Sequence, residues 1–295
     1  MNFVIASPHT GKKWMDYFVW KALKHAITNL GFKYEARAHN RVYFLGWPLR
    51  PSYKDVGTFD KSANNIAIVY GHPDLIKIPV LKDFNHVVIT SQCIYNDFKD
   101  KISTSFIPPW SHVKPLPSVT KINDVVMVAT ARPCGRVKWG RPILYDLINN
   151  RNHLPFDLKV NGVNWEKPEA QSIITPYASP ICIDNDIIDK YYNESKIVLH
   201  DSHGGMRRLG MISHKLVDVM MAKVFFICDG NRELLENQSY KGCVIYKDPS
   251  DLYDKVCYYL AHQDEAQIIT DDIYQRIKNS HSVEYAASHI SSLFS

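Results

Sequence analysis

Apolar residues along this chain alternate between two patterns: short continuous runs of strand length, and longer stretches in which they recur every three or four positions, as one face of a helix does. NFVIAS (2–7) opens the chain as a strand, and residues 14–30 repeat apolar groups at helical spacing until Gly31 stops them. FKYEARA (32–38) supplies a second strand, and NIAIVYG (65–71) and HVVITSQ (86–92) supply two more, each followed by a polar turn. Pro108, Pro109, Pro115 and Pro117 then crowd a segment that no regular helix or central strand accommodates, and the pattern places a linker there. After it the rhythm restarts. Strands are predicted at 124–130, 156–162, 196–201, 223–229 and 242–246, with helices at 141–150, 184–195, 213–222 and from Asp248 onward. Strands alternating with helices imply parallel sheets, and two such domains leave a cleft outside their facing strand C-termini. The first domain is read as 1–117 and the second as 118–278, followed by a terminal segment, 279–295.

Composition narrows the class. The 295 residues are 45% hydrophobic and 22% charged, without a run of 18 apolar residues, and the first apolar stretch precedes any basic residue. That order is the reverse of a secretion signal, so a cytoplasmic protein without a membrane span is expected. Six cysteines carry no C-x-x-C pair and are expected as reduced thiols. The net charge of +5 is uneven: residues 1–54 hold nine Lys/Arg against Asp16 and Glu35, while the remainder is slightly acidic. A basic first domain attracts polyanions.

Several segments of the second domain carry candidate chemistry. A helix starting at Ser213 directs its free N–H groups toward the same end as His214 and Lys215, a seat for phosphate, and Asp218 lies one turn further on the same side. The loop 129–141 contains Arg132, Arg136, Lys138 and Arg141 beside glycines, directly after a strand; Arg132 and Arg136 are the first choices for a diphosphate, with Arg207 after a later strand as an addition. Asp184-Asn185-Asp186 has the form of a metal-holding D-x-D but sits where Asp caps a helix, and His200-Asp201-Ser202-His203 lacks the remote ligands of a zinc site, so no metal is expected.

From about Ser195 to Ile290 the chain resembles the C-terminal half of GT-B glycosyltransferases, within them the spore-maturation-protein group of glycosyltransferase-4-like enzymes. The resemblance rests on SHKLVDVMMAKVFFICD, on DPSDLYDKVCYYLAHQDE and on IYQRIKNSHSVEYAASHI. It implies an α/β GT-B fold, two Rossmann-like domains facing each other across a cleft, with residues 279–295 as a helix returning to the first domain. It also implies a nucleotide-sugar co-substrate, a UDP-sugar by preference; no cofactor and no obligatory metal are expected. The family has an arginine, a glutamate and a glycine where this chain has Lys215, Asp218 and Lys223. By that correspondence Lys215 contacts the donor diphosphate and Asp218 its ribose, in a donor set of Arg132, Arg136, Arg207, Ser213, His214, Lys215 and Asp218.

The first domain then supplies the acceptor side and the base. His72 and Asp74 follow the strand IAIVYG, and His9 follows the first strand, so these three are the candidate catalytic residues. Residues 32–54 interleave cations with Phe32, Tyr34, Tyr43, Phe44, Trp47 and Tyr53, a pattern suited to phosphates and stacked bases. Lys12, Lys13, Arg37, Arg41 and Trp47 are the candidate acceptor contacts. The acceptor expected first is DNA carrying hydroxylated cytosine, with a polysaccharide next; the competing class is a non-catalytic nucleic-acid-binding protein on the same scaffold.

Overall fold

The computed structural model describes residues 1–7, 15–45, 56–71, 77–117, 119–134, 137–149, 151, 153–167, 174, 176–179, 181–184 and 186–295. Six strands, β1 (Asn2–Ala6), β2 (Lys33–Tyr34), β3 (Asn40–Leu45), β4 (Asn64–Val69), β5 (His86–Ile89) and β6 (Thr104–Phe106), form one parallel sheet in the order β2-β1-β3-β4-β5-β6. Helices α1 (Met15–Asn29), α2 (Ile78–Leu81) and α3 (Gln92–Phe98) connect them. The sheet is apolar on both faces because helices cover both: Phe3 and Ile5 pack with α1, whereas Val4 and Ala6 pack on the opposite side with Tyr43 and Leu45.

The second sheet comprises β7 (Asn123–Val128), β10 (Leu158–Asn161), β11 (Ala178–Ser179), β12 (Ser195–His200), β13 (Phe226–Asp229) and β14 (Val244–Tyr246), ordered β11-β10-β7-β12-β13-β14 and parallel throughout. A separate antiparallel hairpin joins β8 (Arg132–Cys134) to β9 (Val137–Gly140). Helices α4 (Pro142–Ile148), α5 (Ile188–Asn193), α6 (Gly204–Leu209), α7 (His214–Met221), α8 (Arg232–Glu236), α9 (Pro249–Ala261) and α10 (Gln263–Ile277) follow in chain order. The last helix, α11 (Val283–Ser291), leaves this half and packs on α1, where Ala286, Ala287 and Ile290 join Phe3, Leu23 and Ile27 in one core.

One strand departs from the sequence reading and corrects the acceptor assignment. Residues 40–45, read as part of a basic aromatic surface, form β3 at the centre of the first sheet, with Tyr43 and Phe44 in the core. Two polar residues disguise its start, and both are satisfied internally. Asn40 bonds Asn2, Asn64 and Ser295, while Arg41 donates from Nε to the Ala38 carbonyl (3.2 Å) and from Nη1 to the Thr58 carbonyl (3.1 Å), with Asp60 at 3.5 Å. Arg41 is therefore a structural clasp rather than an acceptor contact.

Candidate active site

The order of the second sheet reverses direction between β7 and β12, and the crevice at such a point, outside the strand C-termini, is where open α/β sheets bind ligands. The chain leaves β7 toward Arg132 and leaves β12 at His200-Asp201-Ser202. His200 is buried, and its Nε2 lies 3.0 Å from the Ser213 hydroxyl. That hydroxyl also caps α7 by accepting from Leu216 N–H. Lys215, in the first turn of α7, donates to the Val128 carbonyl at the end of β7 at 3.1 Å. Arg141, at the head of α4, ion-pairs with Asp201 at 3.1 Å; both side chains are buried, and Arg141 Nη1 has no hydrogen-bond partner among the described residues.

Arg132, Arg141 and Lys215 act together on His200. Burial, then Arg141, Lys215 and Arg132, lower its pKa to about 3, so the imidazole is neutral. Burial and the two arginines lower Lys215 to about 8. Such cation crowding in a half-dry crevice is unfavourable by itself and is relieved by an anion. One strand further on, Asp229 accepts Ser202 N–H at 2.9 Å and lies 3.7 Å from Arg207; burial first, and then Asp201, raise its pKa to about 7. Gly162 lines the back of this region, where a Cβ would stand 2.0 Å from the Ala129 carbonyl oxygen, so no larger residue fits without backbone movement.

The predicted donor set thus divides. Ser213, Lys215 and Arg132 come together at the switch point, and Arg207 stands beside Asp229. His214 and Asp218 turn away toward the junction between the two sheets. His214 Nδ1 donates to the Trp110 carbonyl (3.1 Å), its ring lies against Tyr70 in a tilted contact at 4.3 Å, and burial lowers its pKa to about 4. Asp218 accepts the Ser111 hydroxyl at 2.5 Å, and burial raises its pKa to about 7 against that bond and Lys215. Both therefore bind linker groups. Arg136, His9, His72, Asp74, Lys12, Lys13 and Trp47 lie outside the described residues. Arg37 is exposed in a turn at φ 60°. Asp184 accepts the Asp186 backbone N–H, a turn within its own segment.

Arg141, His200, Asp201 and Asp229 were not selected as donor contacts from sequence. The available signal was positional: three of the four end or follow a strand of the second sheet, and Arg141 opens a helix. The junction has a second contact, in which the Glu233 carboxylate accepts from Ser91 Oγ (3.3 Å) and Cys93 N–H (3.1 Å) at the N-terminus of α3, while Ser91 Oγ donates to the Gly210 carbonyl (2.8 Å). Among the described residues no group of three His, Cys, Asp or Glu side chains could hold a metal ion, and no helix is long and apolar enough to cross a membrane.

Two six-stranded parallel α/β sheets, the second with a buried cationic crevice at its switch point, match the GT-B fold of two Rossmann-like domains. Residues 140–292 match the model of the Glycosyl transferase-like family, just over half of the chain, and the protein belongs to that family and is a glycosyltransferase enzyme. No curated protein sequence matches it. Among solved structures it is similar to a sucrose-phosphate synthase from Thermosynechococcus elongatus, at 10% identity and TM-score 0.64 over 99% of this chain and 98% of that one. It is equally similar to a DNA-modifying β-glucosyltransferase described with uridine diphosphoglucose, at 12% identity and TM-score 0.64 over 99% of both chains. TarM from S. aureus, in complex with Fondaparinux, α-GlcNAc-glycerol and UDP, aligns at 11% identity and TM-score 0.61 over 94% of this chain and 58% of its own.

Proposed function

We propose that this glycosyltransferase takes a UDP-sugar donor at the β7/β12 switch point and transfers the sugar to a hydroxyl of a polyanionic acceptor, DNA bearing hydroxylated cytosine before a polysaccharide. The carrying observation is the convergence of Arg132, Arg141 and Lys215 on one buried crevice, with an Arg141 nitrogen lacking a hydrogen-bond partner among the described residues. Loss of the sugar leaves a diphosphate whose charge grows in the transition state, and preorganised cations in a water-poor site stabilise that charge without reorganising. The N-terminal amides of α7 add partial positive charge from the same direction. Asp218, committed to Ser111, belongs to the domain junction in this reading rather than to the ribose. His72, Asp74 and His9 remain the proposed bases, and Lys12, Lys13, Arg37 and Trp47 the proposed acceptor contacts. The DNA-modifying and Fondaparinux-bound structures support a polyanion as the acceptor class.

Thermal shift with UDP, GDP and CDP tests the donor, because a ligand selective for the folded state raises the midpoint with occupancy. UDP is expected to stabilise selectively, and its affinity to fall as pH rises through about 8, where Lys215 loses its charge. Sugar transfer to hydroxymethylcytosine DNA, compared with an anionic polysaccharide, then tests the acceptor. Absence of binding by all three diphosphates at millimolar concentration would overturn the donor assignment.

A further inference from the structure

A second concavity shares no residue with the crevice. It is a cavity of about 400 Å³ between α1, the linker and the start of α11, and it also touches Asp186 of the second half. Its floor is apolar: Phe18, Ala22, Ala26 and Val283 line it, and Leu30, 50% exposed, continues it to the surface. The size is within the range of small-molecule sites, and junctions between domains are where such sites concentrate.

The rim is charged with both signs. Lys21 and Lys114 supply two ammonium groups, Asp186 and Glu284 two carboxylates, and all four residues are exposed. Among the described residues none of the four side chains has an ion pair or a hydrogen bond. Asp186 and Lys21 are both close enough to the His112 imidazole to act on its titration, so opposite charges stand around one mouth without closing on each other. A neutral apolar ligand would leave these charges unused, and a singly charged one would meet a like charge across the opening.

We propose that this cavity binds a small zwitterionic amphiphile, its apolar body on the α1 floor and its cationic and anionic groups facing the carboxylates and ammonium groups of the rim. The proposal goes beyond the transferase reading and does not depend on it. Because the ligand would touch both halves and the linker, its occupancy would report on their relative position.

The test is isothermal titration with four probes that share a decyl chain, each below its micelle concentration: a sulfobetaine, a sulfate, a trimethylammonium and a maltoside. The sulfobetaine is expected to bind about tenfold tighter than the maltoside, with the two singly charged probes between them. Ala22→Trp, which fills the floor, should abolish sulfobetaine binding, and the smaller Ala22→Leu should weaken it in case the tryptophan disturbs α1. Glu284→Lys, which leaves three cations and one carboxylate on the rim, should favour sulfate over trimethylammonium. UDP affinity should be unchanged in all three variants, which separates failure here from failure of the donor assignment. Equal binding of all four probes, or sulfobetaine binding unaffected by both Ala22 variants, would overturn the proposal.

Discussion

Arg41 and Arg141 are almost equally buried, at 7% and 5% exposure, one at the start of a central strand of the first sheet and one beside the switch point of the second. Their hydrogen bonds separate them. Arg41 donates to two backbone carbonyls and reaches Asp60, so its charge closes a turn. Arg141 has one ion-pair partner, Asp201, two neighbouring cations and an Nη1 without a hydrogen-bond partner among the described residues. Burial alone does not identify a site. A buried cation becomes a candidate ligand contact when a donor nitrogen on it is left without a hydrogen bond.

The largest expected effect breaks that comparison directly. Arg141→Met should weaken UDP binding about 10- to 100-fold, the range of a lost charge-assisted hydrogen bond. It should also destabilise the fold by about 3 kcal/mol, because Asp201 is left as a buried unpaired charge. Adding Asp201→Leu should restore the stability without restoring UDP affinity. Arg41→Met should show the reverse: a loss of about 2 kcal/mol from two stranded carbonyls, with UDP affinity unchanged. Equal UDP titrations for the two single variants would remove the distinction.

Asp218 sharpens the contrast between crevice and junction. Its ordinary carboxyl pKa of 3.8 is raised to about 7 in the fold, so between those values the unfolded chain ionises and the native chain does not. The native state then binds more protons, and stability falls as pH rises across that window, becoming level above about 7. Asp218→Asn keeps an acceptor for the Ser111 hydroxyl and removes the titration. Denaturant unfolding at pH 4.5 and 7.5 should show the wild type losing about 3 kcal/mol more than Asp218→Asn between the two conditions. A parallel decline in both would place the titration elsewhere.

The strand and helix rhythm of the second half was legible because its strands are continuous apolar runs with clear stops. FICD and GCVIY are examples, and α9 begins at Pro249 behind the Asp248 cap. NRVYFL was not legible as a strand, because Asn40 and Arg41 are polar residues whose partners, Ser295 and Thr58, are distant in sequence. The site divided in the same way. Lys215 and Ser213 announced themselves by standing at a helix start, but whether a neighbour faces the crevice or the junction depends on the linker crossing behind α7. Sequence spacing therefore placed His214 with Lys215, and Trp110 and Tyr70 took it away.

The junction contact at α3 should give a smaller effect. Glu233 is buried and caps a helix that belongs to the other sheet, and beneath it lies Cys93, whose thiol is pushed up to about 12 by burial and by this carboxylate. Glu233→Gln retains an acceptor and loses the charge, which should cost about 1–2 kcal/mol. The looser junction should raise the rate at which an alkylating reagent reaches Cys93 by roughly tenfold, through more frequent opening. UDP at saturation should return that rate toward the wild-type value if donor binding draws the two halves together. An unchanged alkylation rate would show that the carboxylate does not hold the junction closed.

Lys223 gives the smallest and most local test. It follows α7 with φ 62°, the left-handed conformation in which glycine is at ease and a side chain is strained, and it occupies the place that resemblance assigned to a glycine. The helix end therefore keeps the glycine geometry without the glycine, and the Lys223 ammonium recovers part of the strain through Asp271 on α10 at 2.8 Å. Replacing it by Ala or by Gly removes the same ion pair, but only Gly removes the strain. Lys223→Gly should accordingly be more stable than Lys223→Ala by about 1 kcal/mol, a difference visible in the denaturation midpoint, whereas neither should alter UDP affinity. Were the two equally stable, the left-handed turn would have relaxed on substitution, and the end of α7 would owe its shape to the packing of Val224 and Phe226 rather than to the backbone at 223.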